Sequence, residues 1–174
     1  EGGEMPVVMA PGASGILMHE AIGHAFEADF NRVGTSIFAG KMGQRVCRPE
    51  VTIVDDGTQA EDVGCLRWDD EGIPGQRTVL VDKGVLNSYM HDRISARHYG
   101  VEPTGNGRRE SFRHAPQPRM RSTYMMAGES NPEDIIRSVK KGIYAQVFTN
   151  GQVQIGAGDF TFYMKQGYLI EDGH

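Results

Sequence analysis

The sequence is poor in cysteine, in long apolar runs and in positive charge. Its 174 residues contain two cysteines, Cys47 and Cys65, which are too few for a disulfide framework. Two reduced thiols are typical of a cytoplasmic protein, and that is the location we expect. No stretch is apolar enough to cross a membrane, and the first residues lack the basic and apolar halves of a signal peptide. We therefore expect no membrane partner.

Positive charge is also scarce. Lysine and arginine number 18 against 23 aspartates and glutamates, for a formal net charge of -5, which argues against a general nucleic-acid binder. The most basic segment, residues 108–121, contains a single aromatic residue, Phe112, and so offers little surface on which bases could stack. We predict an ordered loop in which Arg108, Arg109 and His114 are candidate substrate contacts. Nucleic-acid binding is the less favoured alternative.

Glycine, in contrast, is abundant at 23 residues, which favours turns and short strands over a helical bundle. Ser14 is a candidate N-cap for a helix over residues 15–30, and Ser130 with Glu133 forms a capping box for another. Hairpin turns are predicted at Asp82-Lys83-Gly84 and at Asn150-Gly151. Further strands are predicted at 51–55, 78–82, 85–91, 121–126, 143–149, 152–155, 160–164 and 168–170. A short helix is predicted at 92–99. The predicted fold class is α+β, a mostly antiparallel β-sheet with a few short helices.

The helix near the N-terminus carries the chemistry. His19, Glu20 and His24 resemble the metalloprotease motif H-E-x-x-H with one additional residue between the histidines. Histidines four apart lie about 40° from each other around an α-helix, whereas histidines five apart lie about 140° apart. An inserted residue, or π-bulge, would bring them back together, and Gly23 is a suitable place for it. If this is a metal-binding helix, its backbone is therefore not regular between His19 and His24.

Acidic residues on the same helix favour a metal site. Glu20 is a candidate general base beside the first histidine. Glu27 lies seven residues further on, nearly on the same face of a regular helix, as either a ligand or a carboxylate that orients a histidine ring. Asp29 follows it. The alternative interpretation is that His19 and His24 are unrelated, one packed and one exposed. From the residues alone, both interpretations stay open.

Long motifs carry a resemblance to a known family. HEAIGHAFEADFNRVGTSIFAG closely resembles the TldD branch of the TldD/PmbA family, zinc-dependent peptidases also called modulators of DNA gyrase. Three further segments resemble later stretches of the same proteins, in the same order. They are GRRESFRHAPQPRMRSTYMMAG, NPEDIIRSVKKGIYA and GQVQIGAGDFTFYMKQGYLIEDG. The family pattern H-E-x-x-x-H-x-x-x-G-D falls on His19, Glu20, His24 and Asp29, with Ala28 in the glycine position. The PmbA-like branch lacks this motif.

The resemblance implies a peptidase that cleaves small or unfolded peptides. One Zn²⁺ would be bound by His19 and His24, and Glu20 would act as general base on a metal-activated water. Glu27 and Asp29 would lie behind the ligands. The third ligand in the family is a cysteine in a C-terminal segment that this chain does not contain, so we expect that ligand beyond its end. Residues 1–174 would form the core of the C-terminal peptidase domain, without the N-terminal domain and the C-terminal tail of relatives.

The resemblance also implies partners. Relatives work as dimers, so we expect pairing with a second copy or with a non-catalytic family member. A peptide substrate is expected to add to an exposed sheet edge through main-chain bonds. Two alternatives are kept. In one, the chain is a catalytically incomplete fragment that acts as a partner-binding module. In the other, it is a regulator associated with gyrase or DNA.

Overall fold

The computed structural model describes residues 3–12 and 14–174, and the strands within these residues form three sheets. The strands are β1 (Val7–Met9), β2 (Ile53–Asp56), β3 (Arg77–Asp82), β4 (Val85–Leu86), β5 (Gly107–Arg108), β6 (Gln117–Pro118), β7 (Thr123–Met125), β8 (Lys141–Gln154) and β9 (Asp159–Glu171). The α-helices are α1 (Ser14–Leu17), α2 (Ala28–Arg32), α3 (Arg93–Tyr99) and α4 (Pro132–Arg137). The predicted α+β class, with mostly antiparallel sheets and few short helices, is confirmed.

A four-stranded sheet in the order β4-β3-β2-β7 forms the centre, and all of its pairs are antiparallel. The predicted hairpin between β3 and β4 is confirmed, with Gly84 in the left-handed conformation at φ 82°. The core packs on this sheet. Its buried members are Phe26, Ala28, Ile53, Leu80, Val81, Leu86, Tyr89, Met90 and Met120.

The second sheet has the order β1-β8-β9, with β1 parallel to β8 and a long antiparallel ribbon formed by β8 and β9. The prediction of a turn at Asn150-Gly151 is wrong. A type I′ turn needs positive φ at both central residues, and neither residue adopts it. Instead, β8 continues through them with a shift of register between Phe148 and Gly151. The chain reverses between β8 and β9, where Gly158 has φ 77°.

The continuous helix predicted over residues 15–30 is also wrong. After α1 the chain forms a π-helical segment over Met18–Gly23, then a 3-10 turn over His24–Phe26, before α2 begins. The irregular backbone expected between His19 and His24 is therefore confirmed. Ser14 is the first residue of α1, so its cap position falls on Ala13, which lies outside the described residues.

Helices α3 and α4 both begin at a side-chain cap, and the cap of α4 differs from the predicted one. Asp92 caps α3 by accepting a hydrogen bond from Ser95 N at 2.8 Å. Asn131, not Ser130, caps α4, because its side chain accepts from Glu133 N at 2.9 Å and Pro132 takes the first helical position. Of the described helices, none is long and apolar enough to cross a membrane.

Candidate metal centre

The π-helical segment brings His19, Glu20 and His24 together. One ligand atom from each lies within 4.8 Å of the others. The two imidazole rings meet edge to face, with centroids 4.9 Å apart and planes at 85°. Glu20 Oε2 lies 3.9 Å from His24 Nε2. The widened turn thus has the effect that spacing alone predicted, since two side chains five residues apart converge on one point.

Gly23 explains how the widened turn fits against the core. A Cβ at this position would lie 2.0 Å from the Sδ atom of Met120 and 3.2 Å from the carbonyl oxygen of Met18. Met120 is a buried core residue. Only glycine therefore lets the π-helical segment pack this closely on the core without displacing a side chain.

The second nitrogen of His24 has a specific partner. His24 Nδ1 lies 3.0 Å from Glu27 Oε2, and the Glu27 side chain is fully buried. Because an ionised carboxylate only accepts, Nδ1 is the donor, and in the neutral ring Nε2 then keeps a free lone pair. This hydrogen bond raises the pKa of the His24 imidazole, although burial opposes it. Burial raises the pKa of the Glu27 carboxyl, against the opposing effects of His24 and Arg119.

Glu27 reaches His24 for a reason other than a shared helix face. The backbone of Glu27 is extended, at φ -69° and ψ 128°, because the chain here pairs with Met90. Met90 N donates to Phe26 O at 2.9 Å, and Ala28 N donates to Met90 O at 3.0 Å. This break, which the local sequence does not show, turns the carboxylate back toward His24. Of the two roles proposed for Glu27, the contact fits the one that orients the ring.

Arg119 joins both acidic residues that follow the motif. Its Nη1 donates to Asp29 Oδ2 at 3.0 Å and to Glu27 Oε2 at 3.3 Å. Its guanidinium also lies 5.6 Å from the centroid of the Phe30 ring. The sequence places Arg119 only within a basic segment. Its contact with Glu27 and Asp29 could not be predicted, because these two residues lie far away along the chain.

The three candidate substrate contacts lie elsewhere on the same segment. Arg108 belongs to β5 and is exposed. Arg109 donates from its backbone to Asp70 and from its guanidinium to His114 O. His114 Nδ1 bonds Ser111 Oγ at 2.8 Å. In the structure as described, none of them hydrogen-bonds His19, Glu20 or His24, and their role in substrate binding stays a prediction.

The donor set suits a transition metal. Imidazole nitrogens with a carboxylate alongside are typical ligands of Zn²⁺, and a carboxylate behind a histidine fixes the tautomer that binds metal. Cys47 and Cys65 are free, half-buried thiols outside this group. Among the described residues, the group thus offers two imidazoles and one carboxylate. Metal-dependent hydrolases are among the proteins that use such donors, with further coordination from other groups.

Comparison with known proteins places the chain in a family of metal-dependent hydrolases. Residues 2–174 match the model of the PmbA/TldA metallopeptidase C-terminal domain, so the chain belongs to the PmbA/TldD metallopeptidase family. A metalloprotease TldD homolog from Haemophilus influenzae is 54% identical over 171 residues, which are 98% of this chain and 36% of the relative. A zinc metalloprotease TldD homolog from Saccharolobus solfataricus is 33% identical over 172 residues, 98% of this chain and 38% of the relative.

Solved structures share the fold. The crystal structure of TldE from Thermococcus kodakarensis matches with a TM-score of 0.84 at 27% identity, covering 98% of this chain and 39% of that one. A Thermotoga maritima protein described as a modulator of a DNA gyrase matches with a TM-score of 0.86 at 28% identity, covering 99% and 39%. The chain therefore spans little more than a third of the length of these relatives.

Proposed function

We propose that this chain carries the metal-binding part of a zinc-dependent peptidase, with His19 and His24 as ligands and Glu20 as general base. The convergence of the three side chains within 4.8 Å on a π-helical turn is the observation that carries the proposal. Two relatives support it, one named a metalloprotease and the other a zinc metalloprotease. We further propose that a cysteine outside these residues completes the ligand set, as the family resemblance implies.

Each residue then has a defined task. Zinc, when bound, supplies a Lewis acid that polarises the scissile carbonyl and acidifies water. Glu20 is half-exposed, with 38% of its side chain accessible, and can therefore receive a proton from an attacking water. The same carboxyl then delivers that proton to the leaving nitrogen of the peptide bond. Glu27 holds the His24 ring so that Nε2 stays free of hydrogen.

The decisive experiment separates chemistry from metal binding. In the whole protein, Glu20→Gln should lower the rate of peptide hydrolysis by about 10²–10⁴-fold, because it removes the base, while zinc stays bound at one equivalent. His24→Ala should lose both. Glu133→Gln removes an equally charged, exposed side chain on α4 and serves as the control. Wild-type hydrolysis by Glu20→Gln would refute the role of Glu20. Absence of bound zinc and of hydrolysis in the wild type would favour a partner-binding module.

We propose that the substrate is an extended peptide. Within the described sheets, β7 is a terminal strand and one of its edges has no neighbouring strand. An apolar cavity of about 680 Å³ lies beside it, lined by β7 residues including Met125 and by Met18, which directly precedes His19. A peptide paired with this edge would form main-chain bonds with loose side-chain preference. A peptide-bound structure without pairing at β7 would contradict this.

We also propose that the protein forms a dimer, with itself or with a non-catalytic family member. The exposed apolar side chains of β9, among them Phe160, Tyr163 and Leu169, support this, because a strand that exposes several large apolar side chains is a candidate interaction surface. Light scattering of the whole protein should give twice the monomer mass. In Tyr163→Lys/Leu169→Lys the mass should fall to that of a monomer. A monomeric wild type would instead indicate that the rest of its own chain covers β9.

A further inference from the structure

The guanidinium of Arg119 is fixed from several sides at once. Beyond Glu27 and Asp29, its Nη1 lies 2.7 Å from Pro118 O, so its two hydrogens are shared among three acceptors, and its Nη2 donates to Gln117 Oε1 at 2.6 Å. Its side chain is 26% exposed, while that of Glu27 is not exposed at all. Such a network leaves Arg119 little freedom and gives the Glu27 carboxylate a fixed cationic neighbour.

The backbone of Arg119 is held just as firmly. Asn106, which is fully buried, accepts from Arg119 N at 2.8 Å through its own backbone and donates from Nδ2 to Arg119 O at 2.9 Å. The same Nδ2 donates to Asp55 Oδ2 at 2.7 Å. The other oxygen of Asp55 accepts from Arg121 N at 2.9 Å and from Thr123 Oγ1 at 2.6 Å. Arg119 is thus anchored to β2 at the centre of the main sheet.

Glu27 Oε2 is where this chain of contacts meets the site. That one oxygen receives both His24 Nδ1 and Arg119 Nη1, whereas Glu27 Oε1 is buried without a partner among the described residues. The orientation of the carboxylate therefore depends on these two contacts. Without Arg119, the Glu27 carboxylate would keep only its hydrogen bond to His24, the ring that it orients.

We propose that Arg119 is a positioning residue that, through Glu27, holds the His24 ring with Nδ1 as donor and Nε2 free to face a cation. Among the described residues, Arg119 forms no hydrogen bond with His19, Glu20 or His24, and its hydrogen-bonded link to the site is Glu27. That the cation is zinc rests on the proposed function. The choice of tautomer does not, and it can be tested in the metal-free protein.

The first test reads the tautomer directly. The ¹³C and ¹⁵N NMR chemical shifts of the labelled His24 ring are recorded in the whole protein without metal, at a pH at which the ring is neutral. The wild type should show the Nδ1–H form, Arg119→Gln a mixture of both tautomers, and Arg119→Lys a share closer to wild type. Arg113→Gln is the matched control, since it removes the same charge from the same segment, and the Arg113 guanidinium lies over the Phe112 ring and has no hydrogen bond to Glu27 among the described residues. A wild-type tautomer in Arg119→Gln would overturn the proposal.

The second test reads zinc affinity by competition with a chelator. Arg119→Gln and Glu27→Gln should each weaken binding by about 10–100-fold, as for other groups that orient a ligand. The double variant should be no weaker than Glu27→Gln alone, because both act through one contact. Additive losses would overturn the proposal and indicate an independent effect of charge. A wild type that binds no zinc would refute the proposed function, while the tautomer measurement would still decide the role of Arg119.

Discussion

At the scale of single residues, Gly23 and Met120 determine how the π-helical turn that carries His19 and His24 lies on the core. The widened turn brings the two histidines together, and at Gly23 it packs closely on a buried methionine. A methyl group at Gly23 would occupy the space of the Met120 sulfur. Met120 is packed among core side chains, so displacing its thioether would disturb those contacts.

We predict that Gly23→Ala destabilises the protein by about 1–3 kcal/mol, the usual cost of overpacking, although alanine is the better helix former. The measurement is the urea midpoint at constant m-value. Gly15→Ala is the matched control, because a Cβ there meets nothing within 4 Å, and it should be as stable as wild type or more so. Equal stability of the two variants would show that the contact with Met120 is not restrictive.

At the scale of elements, the helix that carries the site could be predicted only in part. The five-residue spacing of His19 and His24 predicted the irregular turn, since the geometry of a regular helix excludes their convergence. The break at Glu27 could not be predicted, because Met90, a partner from far along the chain, causes it. The same limit applies to Asn150-Gly151, where pairing with β9 outweighs a strong local preference for a turn.

The start of α4 offers a test at this scale. Asn131→Ala should cost about 1 kcal/mol, because the N-terminal N–H of Glu133 loses its acceptor. Ser130→Ala, one residue earlier and exposed, should change stability by less than about 0.5 kcal/mol. Both are measured by urea denaturation. The reverse order would restore the capping box that the sequence suggested.

At the scale of the whole molecule, the order of predicted strands and helices indicated the fold class, and the spacing of His19 and His24 indicated their convergence. Neither predicted the polar contacts behind the two histidines. Asp55, Asn106 and Arg119 lie on separate segments and meet only in the folded chain. Each is an ordinary polar residue in the sequence, without a telltale spacing. Their partners follow from sheet order and loop path, which local patterns do not determine.

Buried ionisable groups also set how the whole fold responds to acid. His91 is 2% exposed and packs against the rings of Tyr89 and Tyr99, with centroids 6.1 Å and 5.4 Å away. Burial lowers the pKa of His91 to about 4, although the charge of Asp92 opposes it. Between this value and the ordinary value of 6.5, the unfolded chain binds a proton at His91 and the folded chain does not.

We therefore predict that acidification from pH 6.5 to pH 4 lowers the free energy of unfolding through His91 by up to about 1.4 kcal/mol per pH unit. Above pH 6.5 the group makes no contribution, because it is neutral in both states. His91→Phe keeps a ring packed against the two tyrosines and cannot titrate, so its stability should fall less steeply over the same window. His98→Phe, an exposed neighbour, should keep the wild-type slope. The measurement is urea denaturation at half-unit steps of pH, and equal slopes for wild type and His91→Phe would contradict the prediction.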